Sequence, residues 1–208
     1  MNLPAVLRQE RKMPGRVFLG TVCDPYQPVE VEFRLSRQVL EILGHAGFQV
    51  EVLTKSDLIL RDLDVLKRYP GFGVEVTITT LNEEVREVFE PGAVPVERRL
   101  RALAQLGAAG VPTTVFVGPV LPYFSDSLEQ LEEIFQAIAR VGVRRVLVDR
   151  INYLNKKLRV IVPLLKDHPE ALQAFARANR EPENYGRRLR EVATRALQRV
   201  GLEGGVVF

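Results

Sequence analysis

The alternation of strand-like and helix-like segments limits the fold of this chain more than any other feature of its sequence. Short apolar runs occur at residues 16–22, 48–54, 73–79, 112–117 and 144–148, and stretches with apolar residues at helical spacing separate them. Strands that alternate with helices of roughly 10–15 residues predict βαβ units, parallel pairing and right-handed crossovers. We therefore expect an α/β fold with five parallel strands.

The chain changes its pattern after residue 150. Residues 151–166 are mixed, and residues 168–180 and 183–200 have the spacing of two consecutive helices. This predicts two regions: a βα layer structure at residues 1–150, and a basic, mainly helical C-terminal region at residues 151–208 that packs on it. Thr80 and Asp126 precede helical patterns and are expected to cap those helices.

The charge is distributed unevenly along the chain. Residues 1–149 carry 17 Lys and Arg against 20 Asp and Glu, whereas residues 150–208 carry 12 against 6. A basic region of this kind is one signature of contact with nucleic acid or another polyanion. A solvated helical face is the alternative interpretation, and both remain open at this point.

Several classes of protein are excluded by what the sequence does not contain. No apolar run approaches the roughly 20 residues that span a bilayer, and the first residues lack the apolar core of a secretory signal, so we expect a cytoplasmic protein without a membrane partner. The single cysteine, Cys23, excludes an internal disulfide framework and any multi-cysteine metal site built from this chain alone. We predict no metal ligands, and no glycine-rich phosphate loop is present.

Polar side chains of complementary chemistry follow the predicted strands. In parallel βα architectures, ligands bind at the carboxyl ends of the strands. A lysine suits a carboxylate, an aspartate suits an ammonium group and hydroxyls suit a ribose, so a small zwitterionic or nucleoside-like ligand is predicted. The alternative is that Thr and Ser end strands because they cap the next helix. The candidate residues are Thr21, Asp24, Lys55, Ser56, Thr77 and Thr79.

Four segments are more specific than a generic βα fold requires. They are DPYQPVE at residues 24–30, TKS with LILRDLDVL at 54–66, the long stretch VTITTLNEEVREVFEPGAVPVERRL at 76–100, and VFVGPVLP at 115–122. Together they resemble the radical SAM family, in the branch similar to spore photoproduct lyase. The resemblance covers roughly residues 3–150. It implies an incomplete (βα)6 partial barrel with a helical C-terminal appendage.

The resemblance also implies a cofactor and a reaction. In this family a [4Fe–4S] cluster reduces S-adenosylmethionine, and homolysis gives a 5′-deoxyadenosyl radical that abstracts hydrogen from a substrate. In the lyase-like branch the substrate is nucleic acid. The resemblance places Thr21 and Asp24 near the methionine end of S-adenosylmethionine, with Lys55, Ser56, Thr77 and Thr79 at the next strand ends. Arg99 is carried over to the cofactor-binding set in the same way. No catalytic residue can be named.

One departure from the family pattern is large. The cluster of radical SAM proteins is held by a CxxxCxxC motif after the first strand, and these 208 residues contain no such motif. One thiolate cannot replace three, and Cys23 does not match a cluster position, so we expect it to be a small strand-end residue without a redox role. The first βα unit of the family is expected to be missing, through a late start codon, a fragment or true degeneration.

Three functions follow from this departure. The first is a radical SAM protein that is inactive as an isolated chain. The second is a non-catalytic module that binds S-adenosylmethionine or nucleic acid. The third is a scaffold or oligomer in which a partner covers the exposed first strand, because a bare sheet edge invites pairing.

Overall fold

The structure is a computed structural model that describes residues 15–208. Its six strands form one parallel sheet in which spatial order follows sequence order. The register places Phe18 opposite Glu51, Leu53 opposite Glu75 and Val146 opposite Gly204. The predicted α/β class with parallel strands is confirmed. The strands are β1 (Arg16–Leu19), β2 (Gln49–Thr54), β3 (Phe72–Thr77), β4 (Thr113–Val120), β5 (Arg145–Arg150) and β6 (Glu203–Val206).

The sixth strand is the main difference from the expected count of five. β6 has the sequence EGGV, whose two glycines carry no strand propensity. Gly204 has φ +150°, and a Cβ at this position would lie 1.8 Å from the carbonyl oxygen of Val146 on the neighbouring strand. The strand therefore exists because glycine permits this close approach, which periodicity does not reveal.

Helices connect the strands and form most of the C-terminal region. The segment between β2 and β3 begins as a 3₁₀ helix, Asp57–Asp62, and continues as a short α-helix. The described helices are α1 (Glu30–Phe33), α2 (Leu35–His45), α3 (Leu63–Arg68), α4 (Glu83–Phe89), α5 (Val96–Ala108), α6 (Leu128–Arg140), α7 (Leu154–Leu164), α8 (Pro169–Arg180) and α9 (Pro182–Val200).

Two helix caps differ from expectation by one or two residues. Asn82, not Thr80, caps α4, and its side chain accepts hydrogen bonds from the backbone N–H groups of Glu84 and Val85. Ser127, not Asp126, caps α6 through a capping box with Gln130. The correct caps lie nearer to the first helical turn, where the unpaired N–H groups are.

Contacts divide the chain into two compact units, each with its own core. The first comprises the described residues through Thr77 together with Glu97–Thr114. In this unit α2 packs on β2 and α3, and the buried residues include Leu40, Val52, Val74 and Leu103. The predicted division at residue 150 stays a prediction.

The second unit comprises Ile78–Val96 and Val115–Phe208. Here α6 packs against α9, and a second cluster surrounds Phe175 with Leu121, Ile161 and Leu165. No helix within residues 15–208 combines the length and the apolar character that crossing a membrane demands.

Candidate functional site at the strand ends

The DPYQPVE segment is held in place by hydrogen bonds to the side chains of Asp24, Tyr26 and Glu30. Asp24 joins the ends of β1 and β2, because its Oδ1 accepts from Thr54 Oγ1 at 2.7 Å and its Oδ2 accepts from the backbone N–H of Lys55 at 2.7 Å. Oδ1 also accepts from the backbone N–H of Tyr26 at 2.8 Å. Asp24 therefore fixes the conformation of the strand end at which Lys55 is displayed.

Tyr26 anchors the same segment to a buried carboxylate. Its hydroxyl donates to Asp62 Oδ2 at 3.0 Å, and Asp62 is fully buried. Burial, reinforced by the negative charge of Asp62, raises the pKa of Tyr26 well above its usual range. Arg61 satisfies the carboxylate through Nε at 2.9 Å and Nη2 at 2.8 Å. The phenol in this motif therefore has a structural role.

Glu30, the last residue of the segment, organises the next helix. Its Oε1 accepts from the backbone N–H of Leu35 at 3.0 Å and its Oε2 from that of Ser36 at 3.1 Å, which satisfies two donors at the start of α2. Arg61 lies 3.6 Å from the same carboxylate. Pattern reasoning missed this role because Glu30 stands five residues before the amide groups that it caps.

Three further candidate residues, Lys55, Ser56 and Thr21, lie around the strand end that Asp24 fixes. Lys55 follows β2 directly and is partly exposed, and Thr21 is exposed beyond the end of β1. Ser56 caps the 3₁₀ helix, since its Oγ accepts from the backbone N–H of Leu58 at 3.3 Å. The structure thus places Asp24 and Lys55 on the same rim, as expected, and gives Ser56 a local structural partner.

Thr77 and Arg99 meet at the end of β3. Both residues are buried, and Arg99 Nη1 donates to the backbone carbonyl of Thr77 at 3.1 Å. Arg99 comes from α5, so this helix is tied to the carboxyl end of β3 by a charged hydrogen bond. Such bonds are shorter and stronger than neutral ones. The role of Thr77 and Arg99 toward a cofactor stays a prediction.

Sequence reasoning missed two acids on one face of the sheet. The triplet Val-Glu-Val occurs in both β2 and β3, and it places Glu51 and Glu75 on the face opposite to buried Val50, Val52, Val74 and Val76. A Cβ at Gly73 would lie 2.7 Å from Glu51 Oε1, so the glycine leaves room for that carboxylate. Strands of parallel sheets are usually apolar on both faces. The two repeated triplets were the signal that one face is polar.

Thr79 belongs to the second unit and has its own partners. Its hydroxyl donates to Glu90 Oε1 at 2.6 Å, and the carbonyl oxygen of Gly118 lies 3.4 Å away. Buried Arg86 fixes the turn that carries Glu90, because its Nη1 donates to the carbonyls of Glu90 at 3.1 Å and Ala93 at 2.9 Å. The EPGA part of the sequence is therefore a turn tied to the strand end by Thr79 and Arg86.

Asp149 is a further acid at a strand end of the second unit. It lies near the end of β5, and its Oδ2 accepts from Asn152 Nδ2 at 2.9 Å. Its Oδ1 is buried and has no hydrogen-bond partner among the described residues. Burial raises the pKa of Asp149 above the ordinary value of an aspartate.

The resemblance implies two cofactors, S-adenosylmethionine and an iron–sulfur cluster, and the side chains of this chain match them to different degrees. Ammonium, hydroxyl and carboxylate groups at the strand ends match the carboxylate, ribose and amine of S-adenosylmethionine by type. An iron–sulfur cluster requires several thiolates, whereas Cys23 is the single cysteine of the chain and is exposed. Among residues 15–208 no group of three His, Cys, Asp or Glu side chains is arranged to hold a metal ion. These residues do not fit the cluster.

A six-stranded parallel sheet with helices between its strands defines the class as an α/β protein. The profile of the Radical SAM superfamily matches residues 5–138. The chain belongs to this superfamily.

Known proteins similar to this chain agree with that assignment. MJ0683 of Methanocaldococcus jannaschii is 31% identical over 125 residues, which cover 60% of this chain and 48% of the relative. Rv2578c of Mycobacterium tuberculosis is 30% identical over 216 residues, which cover 98% of this chain and 63% of the relative. The chain thus spans about half to two-thirds of the length of these relatives.

A solved structure shows the same fold. A spore photoproduct lyase variant with bound AdoMet and dinucleoside spore photoproduct superposes with a TM-score of 0.68 at 14% identity, covering 98% of this chain and 64% of the lyase chain. The resemblance to the radical SAM family is thereby confirmed, and the likeness to spore photoproduct lyase is confirmed as a likeness of fold.

Proposed function

We propose that this chain provides the S-adenosylmethionine-binding strand ends of a radical SAM protein whose substrate is nucleic acid. The observation that carries the proposal is the hydrogen bond from the backbone N–H of Lys55 to Asp24, which fixes the end of β2 in the first unit. The membership of the chain in the superfamily supports it. When bound and reduced by an iron–sulfur cluster, S-adenosylmethionine supplies radical chemistry.

The proposed roles follow from the chemistry of each side chain. The ammonium group of Lys55 pairs with the carboxylate of the cofactor, and the hydroxyls of Thr21 and Thr77 bind its polar groups. Asp24 has a positioning role, because its two carboxylate oxygens already accept hydrogen bonds within the chain. The donors are the hydroxyl of Thr54 and the backbone N–H groups of Tyr26 and Lys55. Arg99 holds the end of β3 at a fixed place beside α5.

The thiolates for a cluster have to come from polypeptide outside these 208 residues. β1 is the first strand in the sheet order, and among the described residues it pairs with β2 alone. Phe18 on this strand is 51% exposed and Val22 beyond it is 93% exposed. We therefore propose that a strand outside the described residues pairs with β1, since an unpaired edge offers backbone donors and acceptors for such pairing.

Two measurements on the purified chain test whether it binds S-adenosylmethionine and whether the cluster ligands lie outside it. S-adenosylmethionine should bind in calorimetry, and anaerobic treatment with iron and sulfide followed by dithionite should give neither a thiolate-to-iron absorption band nor 5′-deoxyadenosine. Failure of S-adenosylmethionine to bind would contradict the proposed site. Formation of 5′-deoxyadenosine by the chain alone would contradict the proposed external cluster ligands.

A basic and aromatic surface on α7 supports nucleic acid as the substrate class. Lys156, Lys157 and Arg159 are exposed, and Tyr153 at the start of the helix is 71% exposed. The ammonium group of Lys156 lies 5.4 Å from the centroid of the Tyr153 ring. Cationic side chains beside an exposed aromatic ring suit a single strand, because the cations bind phosphates and the ring stacks on a base.

The salt dependence of DNA binding tests this surface. The K156Q/K157Q variant should bind a single-stranded oligonucleotide more weakly, and the slope of log K against log salt should fall by about 1.4 because two phosphate contacts are lost. The matched control is R187Q/R195Q on α9, which removes two exposed charges elsewhere in the same basic region. Equal losses in both variants would indicate a non-specific charge effect and contradict an interface at α7.

A further inference from the structure

A cavity of about 650 Å³ in the second unit has a lining that no part of the proposed reaction uses. It is bounded by α4, by the loop after β4, by α6, and by the junction of α7 and α8. Its volume is within the range of small-molecule sites, about 300–1,000 Å³. The lining residues on which the choice of ligand rests are Glu84, Phe89, Tyr123, Phe124 and Glu133.

Aromatic rings form one wall of this cavity and hold one another in place. The Phe89 and Phe124 centroids are 5.7 Å apart with the rings edge to face, and Phe89 stacks on Phe175 at 5.9 Å. Tyr123 packs edge to face on Phe124 at 5.1 Å. The Tyr123 hydroxyl donates to Glu170 at 3.0 Å, which orients the ring. The wall is therefore preorganised, so a ligand need not order these side chains.

Two carboxylates line the same cavity. Glu84 lies on α4 and Glu133 on α6, and neither has a salt bridge or hydrogen bond from its side chain within residues 15–208. Neighbouring acids differ in this respect, because Glu83 pairs with Arg86 and Glu132 pairs with Arg199. The two acids that line the cavity thus differ from the acids directly beside them in sequence.

The aromatic rings and the two carboxylates together determine which charge a ligand of this cavity should carry. Ring faces attract cations through their quadrupole and also stack on nucleobases. Two carboxylates at the same cavity attract a cation and repel a phosphate, so a nucleotide is disfavoured and an organic cation is favoured. The apolar residues Val85, Val88 and Leu165 add a surface for an aliphatic chain.

We propose that this cavity binds a primary ammonium group on an aliphatic chain. The ammonium group lies between the carboxylates of Glu84 and Glu133, and the chain packs on Phe89 and Phe124. This chemistry is shared by free polyamines and by the lysine side chain of a peptide.

Calorimetry with matched small probes tests the proposal. 1,5-Diaminopentane should bind, and 1,5-pentanediol and AMP should bind at least about tenfold more weakly, because the first lacks the charge and the second carries the wrong one. Spermidine and Nα-acetyl-lysine methylamide distinguish the two sources of the ammonium group. Tighter binding of spermidine assigns the cavity to polyamines, and tighter binding of the lysine derivative assigns it to a peptide; either outcome supports the site.

Variants locate the binding within the cavity. E84Q/E133Q should weaken 1,5-diaminopentane about tenfold, and F124L should weaken it about threefold through the loss of one ring face. E191Q, an exposed acid on α9 outside the cavity, is the control and should bind as the wild type does. The proposal is overturned if the diol or AMP binds as well as the diamine, if E84Q/E133Q binds like E191Q, or if no amine binds.

Discussion

Asp62 is fully buried, and its two oxygens accept hydrogen bonds from three side chains. Arg61 provides a two-point contact, Tyr26 provides its hydroxyl at 3.0 Å, and Arg37 Nη1 lies 3.3 Å from Oδ1. A buried carboxylate is tolerable only when it is paired in this way. The sequence shows two of these partners in the segments RD and DPY, but no spacing rule links positions 26 and 62. Their contact is long-range, and only the folded chain reveals it.

Removal of the Asp62 carboxylate should destabilise the first unit strongly. Asp62→Ala leaves the hydroxyl of Tyr26 and two guanidinium groups without their shared acceptor, and we expect a loss of about 3 kcal/mol in the free energy of unfolding. Tyr26→Phe removes one hydrogen bond and should cost about 1 kcal/mol. Urea unfolding measures both losses. Asp64→Ala, at an exposed acid, is the control and should cost less than about 1 kcal/mol; equal costs for Asp62→Ala and Asp64→Ala would contradict the structural role.

Asp64 provides a test through pH. Two hydrogen bonds from Arg37, at 2.7 and 2.6 Å, lower the pKa of Asp64 from its ordinary value of 3.8 to about 2. Because the folded-state pKa is depressed, the stabilisation is complete above the unfolded value and is lost as pH falls through about 2. The contribution is small because the carboxylate is largely exposed.

An NMR titration of the Asp64 carboxyl group measures this shift directly. Arg37→Gln should return the pKa toward 3.8. Arg68→Gln should leave it low, because Arg68 lies 3.9 Å away and is exposed. A wild-type value near 3.8, or an equal response to the two variants, would show that the Arg37 contact does not form in solution.

At the scale of elements, the sequence predicted strands and helices best in segments where one spacing of apolar residues dominates. The alternation of strands and helices specified the parallel α/β class and located β1 to β5. It missed β6, since the Gly-Gly strand has no side-chain pattern, and it missed the polar face carried by Glu51 and Glu75. It also predicted polar strand ends. It did not reveal that Asp24 accepts hydrogen bonds from three donors of its own chain, and the role of Asp24 toward a ligand stays a prediction.

Gly20 makes the end of β1 possible, and its replacement should disrupt that element. Gly20 has φ +100°, and a Cβ would lie 2.1 Å from the carbonyl oxygen of Leu53 on β2. Gly20→Ala should therefore cost at least about 2 kcal/mol in urea unfolding. Gly107→Ala on α5 is the matched control, because beyond its neighbours and the backbone of its own helix no atom lies within 4 Å of the Cβ position. This change should be neutral or stabilising by up to about 1 kcal/mol. A comparable loss in both variants would contradict the close approach of β1 and β2.

At the scale of the whole molecule, the chain is a member of the radical SAM superfamily whose residues 15–208 do not fit the family's iron–sulfur cluster. The strand ends carry ammonium, hydroxyl and carboxylate groups that we propose bind S-adenosylmethionine, whereas the 208 residues contain one cysteine and a cluster requires several thiolates. The family and the fold could be inferred from local segments. The proposed cofactor contacts could not be derived in the same way, because they depend on long-range hydrogen bonds such as that from Thr54 to Asp24.

Binding of S-adenosylmethionine to Lys55 variants tests the central claim most directly. Lys55 projects from the rim that Asp24 fixes, and a charged hydrogen bond to the carboxylate of the cofactor contributes about 1.5–3 kcal/mol. Calorimetry should therefore show that Lys55→Ala binds roughly ten- to a hundredfold more weakly than the wild type. The control Lys67→Ala, on the exposed surface of α3, should bind as the wild type does. Equal affinities for all three proteins would contradict the assignment of this strand end as the cofactor site.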